Sequence, residues 1–484
     1  MNFTEEIKKG VFEINKKNYQ KAEKIFLNVY RLQPKNIAIY SYIIPTFIYQ
    51  KKFIEASKFA QRLVNTNSSR ELGFLYLGII NFEIKNYNEA ISFFKKSLQI
   101  NQKNVDALVN LGACLHKIGE NSEAIKNLNY ALNLNQNNSK AYHNLAVIYE
   151  DELEFDKAVE NYKKSLFINS KDYESLHGLS LMYLTKLDYE KGLKIYENRW
   201  HLPDRNYRYH NFPKLSQIEN IANKKILIWH EQGLGDTIQF SRYIKELIDL
   251  NAKVTFEVQK PLEAFIKRQL NCEVTTNSNI NNNYDFQCPL LTLPLLFKTN
   301  HENIPNAINF TSTEDQYIKW NEILSQKNNK INVGITISGN PNQKNDLRRK
   351  IDLEYFLKLK DYCNLFLIQK ELYEKDRECL NKNNFIRFIG DEPKWEDFED
   401  TSAIVDNMDI VITICTSMVH LAGSMNKNTI LLLSKPSDWR WGEENNKAPK
   451  WYPNLKILRQ HERKTWDGLM PEIEQILNQL KNKI

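Results

Sequence analysis

Three stretches of this 484-residue sequence combine residue types at spacings that could carry chemistry. The first is Trp229-His230-Glu231-Gln232-Gly233-Leu234-Gly235-Asp236-Thr237, where an apolar run (KILIW, 225–229) ends in a glycine-bearing turn and a helical pattern begins. Gly233 and Gly235 let backbone approach a ligand closely, and a helix start offers unpaired N–H groups to an anion. Asp236 has two readings there: a helix cap, a common task for Asp, or a catalytic carboxylate facing a cleft between lobes. A dinucleotide fingerprint would need a third glycine where Ile238 stands, and no Walker GK[ST] is present.

The second stretch is Asp409-Ile410-Val411-Ile412-Thr413-Ile414-Cys415-Thr416-Ser417-Met418-Val419-His420. An apolar run passes straight into hydroxyl residues and a helical pattern. Thr416 and Ser417 can cap that helix or donate to phosphate oxygens, and His420 lies one turn beyond Thr416 on the same face. Helix-end N–H groups, a hydroxyl and an imidazole together suit a diphosphate; the alternative is an ordinary capped helix with a packed His. The third stretch, Gly339 to Lys350, holds four cations within seven residues (Lys344, Arg348, Arg349, Lys350) after another apolar run. It reads as a phosphate clamp or as a solvated loop. Aromatic residues in Asp438-Trp439-Arg440-Trp441 and Trp451-Tyr452-Pro453 offer stacking faces for a base or sugar, or packing between lobes.

No metal-ligand spacing is visible, and Cys114, Cys272, Cys288, Cys363, Cys379 and Cys415 are scattered without a CxxC pair, which speaks against a zinc site and a disulfide framework. Single thiols fit a reducing cytoplasm, and the start, MNFTEEIKKG, lacks a signal-peptide core. A cytoplasmic location is therefore expected. Lys plus Arg (66) exceeds Asp plus Glu (59) by a formal +7, too thinly spread for a dedicated nucleic-acid binder. A hydrophobic content of 42% excludes general disorder. The longest apolar run, Ile37 to Tyr49, is interrupted by Ser41, Pro45 and Thr46 and falls short of the about 20 residues that a bilayer requires.

The elements that must position these groups change character along the chain. After Pro203 and Pro213, short apolar runs alternate with amphipathic segments: strands at 225–229, 253–258, 272–275, 284–288, 332–337, 365–369, 386–389, 409–414 and 429–434, with helices at 236–250, 261–270, 353–359, 416–425 and 471–480. That alternation predicts parallel sheets in two doubly wound lobes, 204–315 and 316–484, with ligands bound beyond the carboxyl ends of the strands. Residues 1–203 differ. Ala22, Ala56, Ala90, Ala124, Ala158 and Gly192 recur every 34 residues, each preceded at twelve residues by Gly10, Ile44, Gly78, Gly112, Ala146 and Ser180. Two amphipathic helices per unit, with small residues where they approach, must stack to bury their apolar faces.

This pattern resembles the tetratricopeptide repeat over about six units, whose common use is a concave groove that binds a protein segment; the alternative is a scaffold or dimerisation device. With EQGLGDTIQFSRY (231–243), VGITISGNP and ND..R (333–349), TSMVHLAGS (416–424) and SDWRW…WYP…RQ (437–460), the whole chain resembles bacterial tetratricopeptide-repeat proteins fused to a heptosyltransferase-like family 9 glycosyltransferase of GT-B architecture. The resemblance implies metal-independent transfer of a sugar from a nucleotide-sugar to an acceptor, with no further cofactor. It implies a protein acceptor recruited by the repeats; related fusions that glycosylate flagellin make a flagellin-like acceptor the implied one. Asp236 would be the catalytic base. Thr416, Ser417, Met418, His420, Lys344 and Arg349 would hold the donor, and Gln232, Asn340, Trp439 and Trp441 are candidates for contacts to base or sugar. The family often has Asp where Cys415 stands and Ser where Lys350 stands. Both departures keep open a second reading, a non-catalytic repeat scaffold with a degenerate transferase domain.

Overall fold

In the computed structural model the 34-residue period becomes a succession of paired helices. Residues 3–276, 283–326, 328–340, 346–444, 450–462 and 465–481 are described, the side chain of Leu347 excepted. The chain divides into two units, Met1–Gly178 and Leu179–Ile484.

The first unit holds α1 (Phe3–Asn15), α2 (Tyr19–Leu32), α3 (Tyr40–Tyr49), α4 (Phe53–Val64), α5 (Arg70–Glu83), α6 (Tyr87–Ile100), α7 (Val105–Lys117), α8 (Asn121–Leu134), α9 (Ser139–Asp151) and α10 (Phe155–Ile168), and α11 (Tyr173–Thr185) begins in it. Its packing explains the small residues. A Cβ on Gly10, Gly78 or Gly112 would lie 2.3, 2.4 or 2.7 Å from Phe26, Phe94 or Leu128, the large residue sixteen positions on. The second repeat reverses the volumes, with Ile44 facing the same buried cluster as Ala60. The turns between paired helices recur as well: Lys17, Lys51, Lys85, Gly119 and Leu153 all have positive φ, 34 residues apart. Gly119 is the one among these that a left-handed residue favours. Asn104 and Asn138, also 34 apart, cap α7 and α9 by accepting from Ala107 N and Ala141 N at 2.9 Å.

The second unit takes in the end of α11 and then α12 (Tyr189–Tyr196), the last 34-residue repeat's second helix. Tyr189, Leu193 and Tyr196 are buried in one cluster with Ile226 and Phe256 of the first sheet. The boundary expected at 203/204 and the division at 178/179 thus differ by the end of α11 and by α12, whose apolar residues share the buried cluster of the first lobe. The first lobe comprises β1 (Lys225–Trp229), α13 (Leu234–Phe240), α14 (Arg242–Asp249), β2 (Lys253–Glu257), α15 (Glu263–Gln269), β3 (Glu273–Thr275), β4 (Phe286–Pro289) and α16 (Leu293–Leu296). Its strands are parallel in the order β3-β2-β1-β4 among the described residues. Residues 200–223 supply one layer of this lobe: Trp200, Tyr207, Tyr209 and Phe212 cover Leu227 and Trp229, while Ile226 and Ile228 face the opposite cluster.

After α17 (Glu314–Leu324) come β5 (Ile331–Thr336), α18 (Asp346–Arg349), β6 (Cys363–Leu367), α19 (Glu374–Lys382), β7 (Ile386–Phe388), α20 (Phe398–Asp406), β8 (Ile410–Ile414), α21 (Ser417–Ser424), β9 (Thr429–Leu433), β10 (Leu455–Arg459) and α22 (Met470–Lys481). The strands form a parallel sheet, β10-β9-β8-β5-β6-β7 among the described residues. Alternate residues of β8 enter different clusters, Val411 on one face and Ile410, Ile412 and Ile414 on the other, so both faces are covered. Three expectations change. The helix expected over 236–250 is two helices, parted at Ser241, whose hydroxyl donates to Ile238 O at 2.7 Å. Residues 353–359 are 3-10 rather than α. Helices α17 and α19 and strand β10 were not anticipated.

Candidate functional site

The glycine-bearing turn after β1 and the hydroxyl-bearing turn after β8 come together. Gly235 is the point of contact: a Cβ there would lie 2.9 Å from His420 Cδ2 and 3.2 Å from Ser417 Cα. Only glycine lets the start of α13 meet the start of α21 so closely. Asp236 stands at this junction, third in α13 and not before it. Its Oδ2 accepts from Gly233 N at 2.9 Å, the back half of a capping box. Its Oδ1 accepts from Arg440 Nη2 at 2.5 Å. Capping is therefore one of the carboxylate's tasks.

Arg440 is the residue that sequence reasoning quoted without assigning. Its side chain is 8% exposed and Asp236's is 18%. Nε donates to Gln239 Oε1 at 2.8 Å and Nη1 to Asp438 Oδ1 at 3.0 Å. The guanidinium also lies 4.6 Å from the Trp439 ring centroid and 5.5 Å from that of Phe240. Burial pushes the Asp236 carboxyl above the ordinary carboxylate value, Arg440 pulls it down, and Asp438 adds to the rise.

Thr416 caps α21, its hydroxyl accepting from Met418 N at 3.3 Å. Ser417 is partly exposed, and no hydrogen bond joins its hydroxyl to another described residue. Met418 is buried in the core. His420 is 5% exposed, stacked on Trp441 at 5.8 Å, with Nδ1 2.9 Å from the Tyr452 hydroxyl. Burial, with Arg440 and Arg242 nearby, holds the His420 pKa well below the ordinary value. It can offer a neutral N–H, not a positive charge. Arg349 reaches the same region: Nε donates to Asp346 Oδ1 at 3.0 Å and Nη1 to Cys415 O at 2.5 Å, joining the carboxyl ends of β5 and β8. The run of four cations divides. Lys350 is committed to Asp352 and Asp376 at 2.8 and 2.9 Å, Arg348 is exposed, and Lys344 lies outside the described residues.

The remaining candidates scatter. Gln232 donates to the Tyr196 hydroxyl of α12 at 2.6 Å. Asn340 is exposed beyond β5. Trp439 is buried edge-on to Tyr189, and Trp441 has no exposed surface, backing His420 and donating to Cys415 Sγ at 3.2 Å. In this arrangement neither ring offers a free face. A second group missed in the sequence is Arg199, fully buried, whose Nε and Nη2 donate to Glu231 at 2.7 and 2.9 Å beside the glycine turn. Both arginines act across distances that leave no local sequence signal. Among the described residues no group of three or more His, Cys, Asp or Glu is set to hold a metal ion, and no helix is long and apolar enough to cross a membrane.

Comparison with known proteins bears on the first unit. Tetratricopeptide-repeat profiles match residues 82–147 and 139–172. The amino-terminal region is a tetratricopeptide-repeat array. Among solved structures the chain is similar to MamA (24% identity, TM-score 0.29, 33% of this chain and 93% of that one). It is also similar to a thermophilic TPR protein in Thermus thermophilus (18% identity, TM-score 0.35, 38% and 99%) and to PilF of Pseudomonas aeruginosa (16%, TM-score 0.34, 42% and 91%). No curated protein matches the chain. The repeat array supports interaction with another protein.

Proposed function

We propose that the chain is a glycosyltransferase with its own protein-recruiting array: the repeats bind a protein acceptor, and the α/β unit, of GT-B type, transfers a sugar to it from a nucleotide-sugar. The supporting observation is the meeting of α13 and α21 at Gly235, which brings the helix that carries Asp236 against the start of a capped helix. The donor diphosphate would rest on the N–H groups and hydroxyls at Thr416 and Ser417, with Arg349 behind them. The acceptor O–H attacks the anomeric carbon, the bond from that carbon to the phosphate oxygen breaks, the proton passes to Asp236, and a nucleoside diphosphate leaves. Helix-end N–H groups and the neutral His420 N–H stabilise the charge growing on the leaving phosphate.

The second reading, a scaffold with a degenerate transferase, is favoured by Cys415 and by the engagement of both Asp236 oxygens. A thermal-shift screen of UDP-, GDP-, ADP- and CMP-linked sugars, followed by mass spectrometry of co-expressed acceptor candidates, separates the two. A nucleotide-dependent rise in Tm together with a sugar-sized mass gain on an acceptor is expected. Stabilisation by nucleotide with neither transfer nor donor hydrolysis would establish the scaffold instead.

A further inference from the structure

We propose that Arg440 is a positioning residue that holds Asp236 ionised and fixed in place at the junction of α13 with α21, so that the base is assembled across the two sheets. The inference deepens the reading of Asp236 as the base and rests on it.

The geometry carries the argument. Asp236 belongs to the first turn of α13, in the first lobe, and Arg440 to the turn after β9, in the second. One guanidinium binds three groups: Asp236 at 2.5 Å, Asp438 at 3.0 Å and Gln239 at 2.8 Å. Two of these belong to α13 and one to Arg440's own turn. Rings on both sides fix its plane, Phe240 from the first lobe and Trp439 from the second. The backbone of that turn is held too, since Trp451 Nε1 donates to Arg440 O at 2.7 Å. A second buried arginine runs the other way: Arg242 of α14 donates to Trp451 O at 3.2 Å. The two lobes therefore interlock through arginines, and one of them ends on the candidate base.

The charges facing Asp236 show why the pairing matters. Its own loop brings the Gly233 N–H and the Glu231 carboxylate; the 438–441 turn brings Arg440 and Asp438; α21 brings a neutral His420. Arg440 is the one cation among the described groups paired with this carboxylate. Burial and two acidic neighbours otherwise favour the protonated form, which cannot accept a proton.

The test is a double-mutant cycle in thermal unfolding of the full chain, using wild type, D236N, R440M and D236N/R440M from about pH 5 to pH 8. R440M is expected to lower Tm more in the wild-type background than in the D236N background. That gap should widen as pH rises, because an unpaired buried carboxylate is then forced to ionise. Additive Tm changes, or a gap that does not depend on pH, overturn the proposal. R440K and D438N keep the test open if R440M does not fold. R440K should restore the charge with a poorer fit and give a smaller gap; D438N removes a negative neighbour and should ease ionisation of Asp236. A donor consumed in the screen above adds a kinetic arm: the acid limb of the rate profile should move to higher pH in R440M. A coupled pair in a chain that consumes no donor sinks the enzyme reading and leaves the pair standing. A working enzyme whose acid limb stays fixed in R440M sinks this inference alone.

Discussion

At the scale of single residues, Asp236 carries the conflict between stability and chemistry. Its folded pKa is raised above the value in an unfolded chain, so the native state binds the proton more readily. The resulting stabilisation is complete below the unfolded value of about 4 and is lost as pH rises through the folded one. At neutral pH the ionised carboxylate is therefore carried at a cost. Asn at this position bears no charge, its oxygen can still accept from Gly233 N, and Arg440 keeps Asp438. D236N is expected to melt at or above the wild-type Tm at neutral pH while transfer falls by about 10²–10⁴-fold. Calorimetry and a donor-turnover assay check the two halves. A lower Tm with transfer within twofold of wild type would make Asp236 a structural cap. His420 shows the limit of reasoning from residue type: the sequence offered an imidazole to a diphosphate, but its neutrality comes first from burial and then from Arg440 and Arg242, all set by the tertiary fold.

At the scale of elements, what could be read locally was read closely. The run KILIW is β1 to the residue, and the 34-residue spacing matches the helix pairs because the close approaches at Gly10, Gly78 and Gly112 are each made by a small residue and the large one sixteen positions on. Elements went unseen where their stability comes from elsewhere. Helix α19 is mostly charged, with Asp376 and Cys379 as its buried residues, and is held partly by the Asp376 carboxylate accepting from Leu353 N at 3.0 Å. Strand β10 gains its place by pairing with β9. The boundary of the repeats was hidden for the same reason: α12 continues the period, yet its apolar residues belong to the buried cluster of the α/β unit and the helix lies against α16. Arg199, just beyond it, is 0% exposed and paired with Glu231, itself 1% exposed. A fragment of residues 204–484 loses the guanidinium and leaves that carboxylate without its cation, with the Leu291 N–H still donating to it, at a cost of about 3–5 kcal/mol. Residues 179–484 should therefore express as a cooperatively melting fragment and residues 204–484 should not. Equal stability of the two would show that α12 and Arg199 are dispensable to the α/β unit.

At the scale of the whole molecule, the question is what an array of repeats adds to a transfer site. Recruitment supplies binding energy remote from the reacting atoms, and tethering raises the acceptor's effective concentration at the site. Neither alters the groups that touch the reacting bond. Such remote binding acts on KM for the protein acceptor more than on kcat, unless the acceptor must also be distorted or aligned by it. Residues 179–484 retain Asp236, Thr416, Ser417, His420, Arg349 and Arg440, together with the Arg199–Glu231 pair beside the glycine turn. Donor hydrolysis by this fragment is accordingly expected to match that of the full chain, while KM for the protein acceptor rises by about 10²-fold or more and kcat changes little. Residues 1–178 alone should capture the same acceptor in a pull-down. The opposite split, an unchanged KM and a collapsed kcat, would mean that the repeats shape the transfer site rather than deliver the acceptor to it.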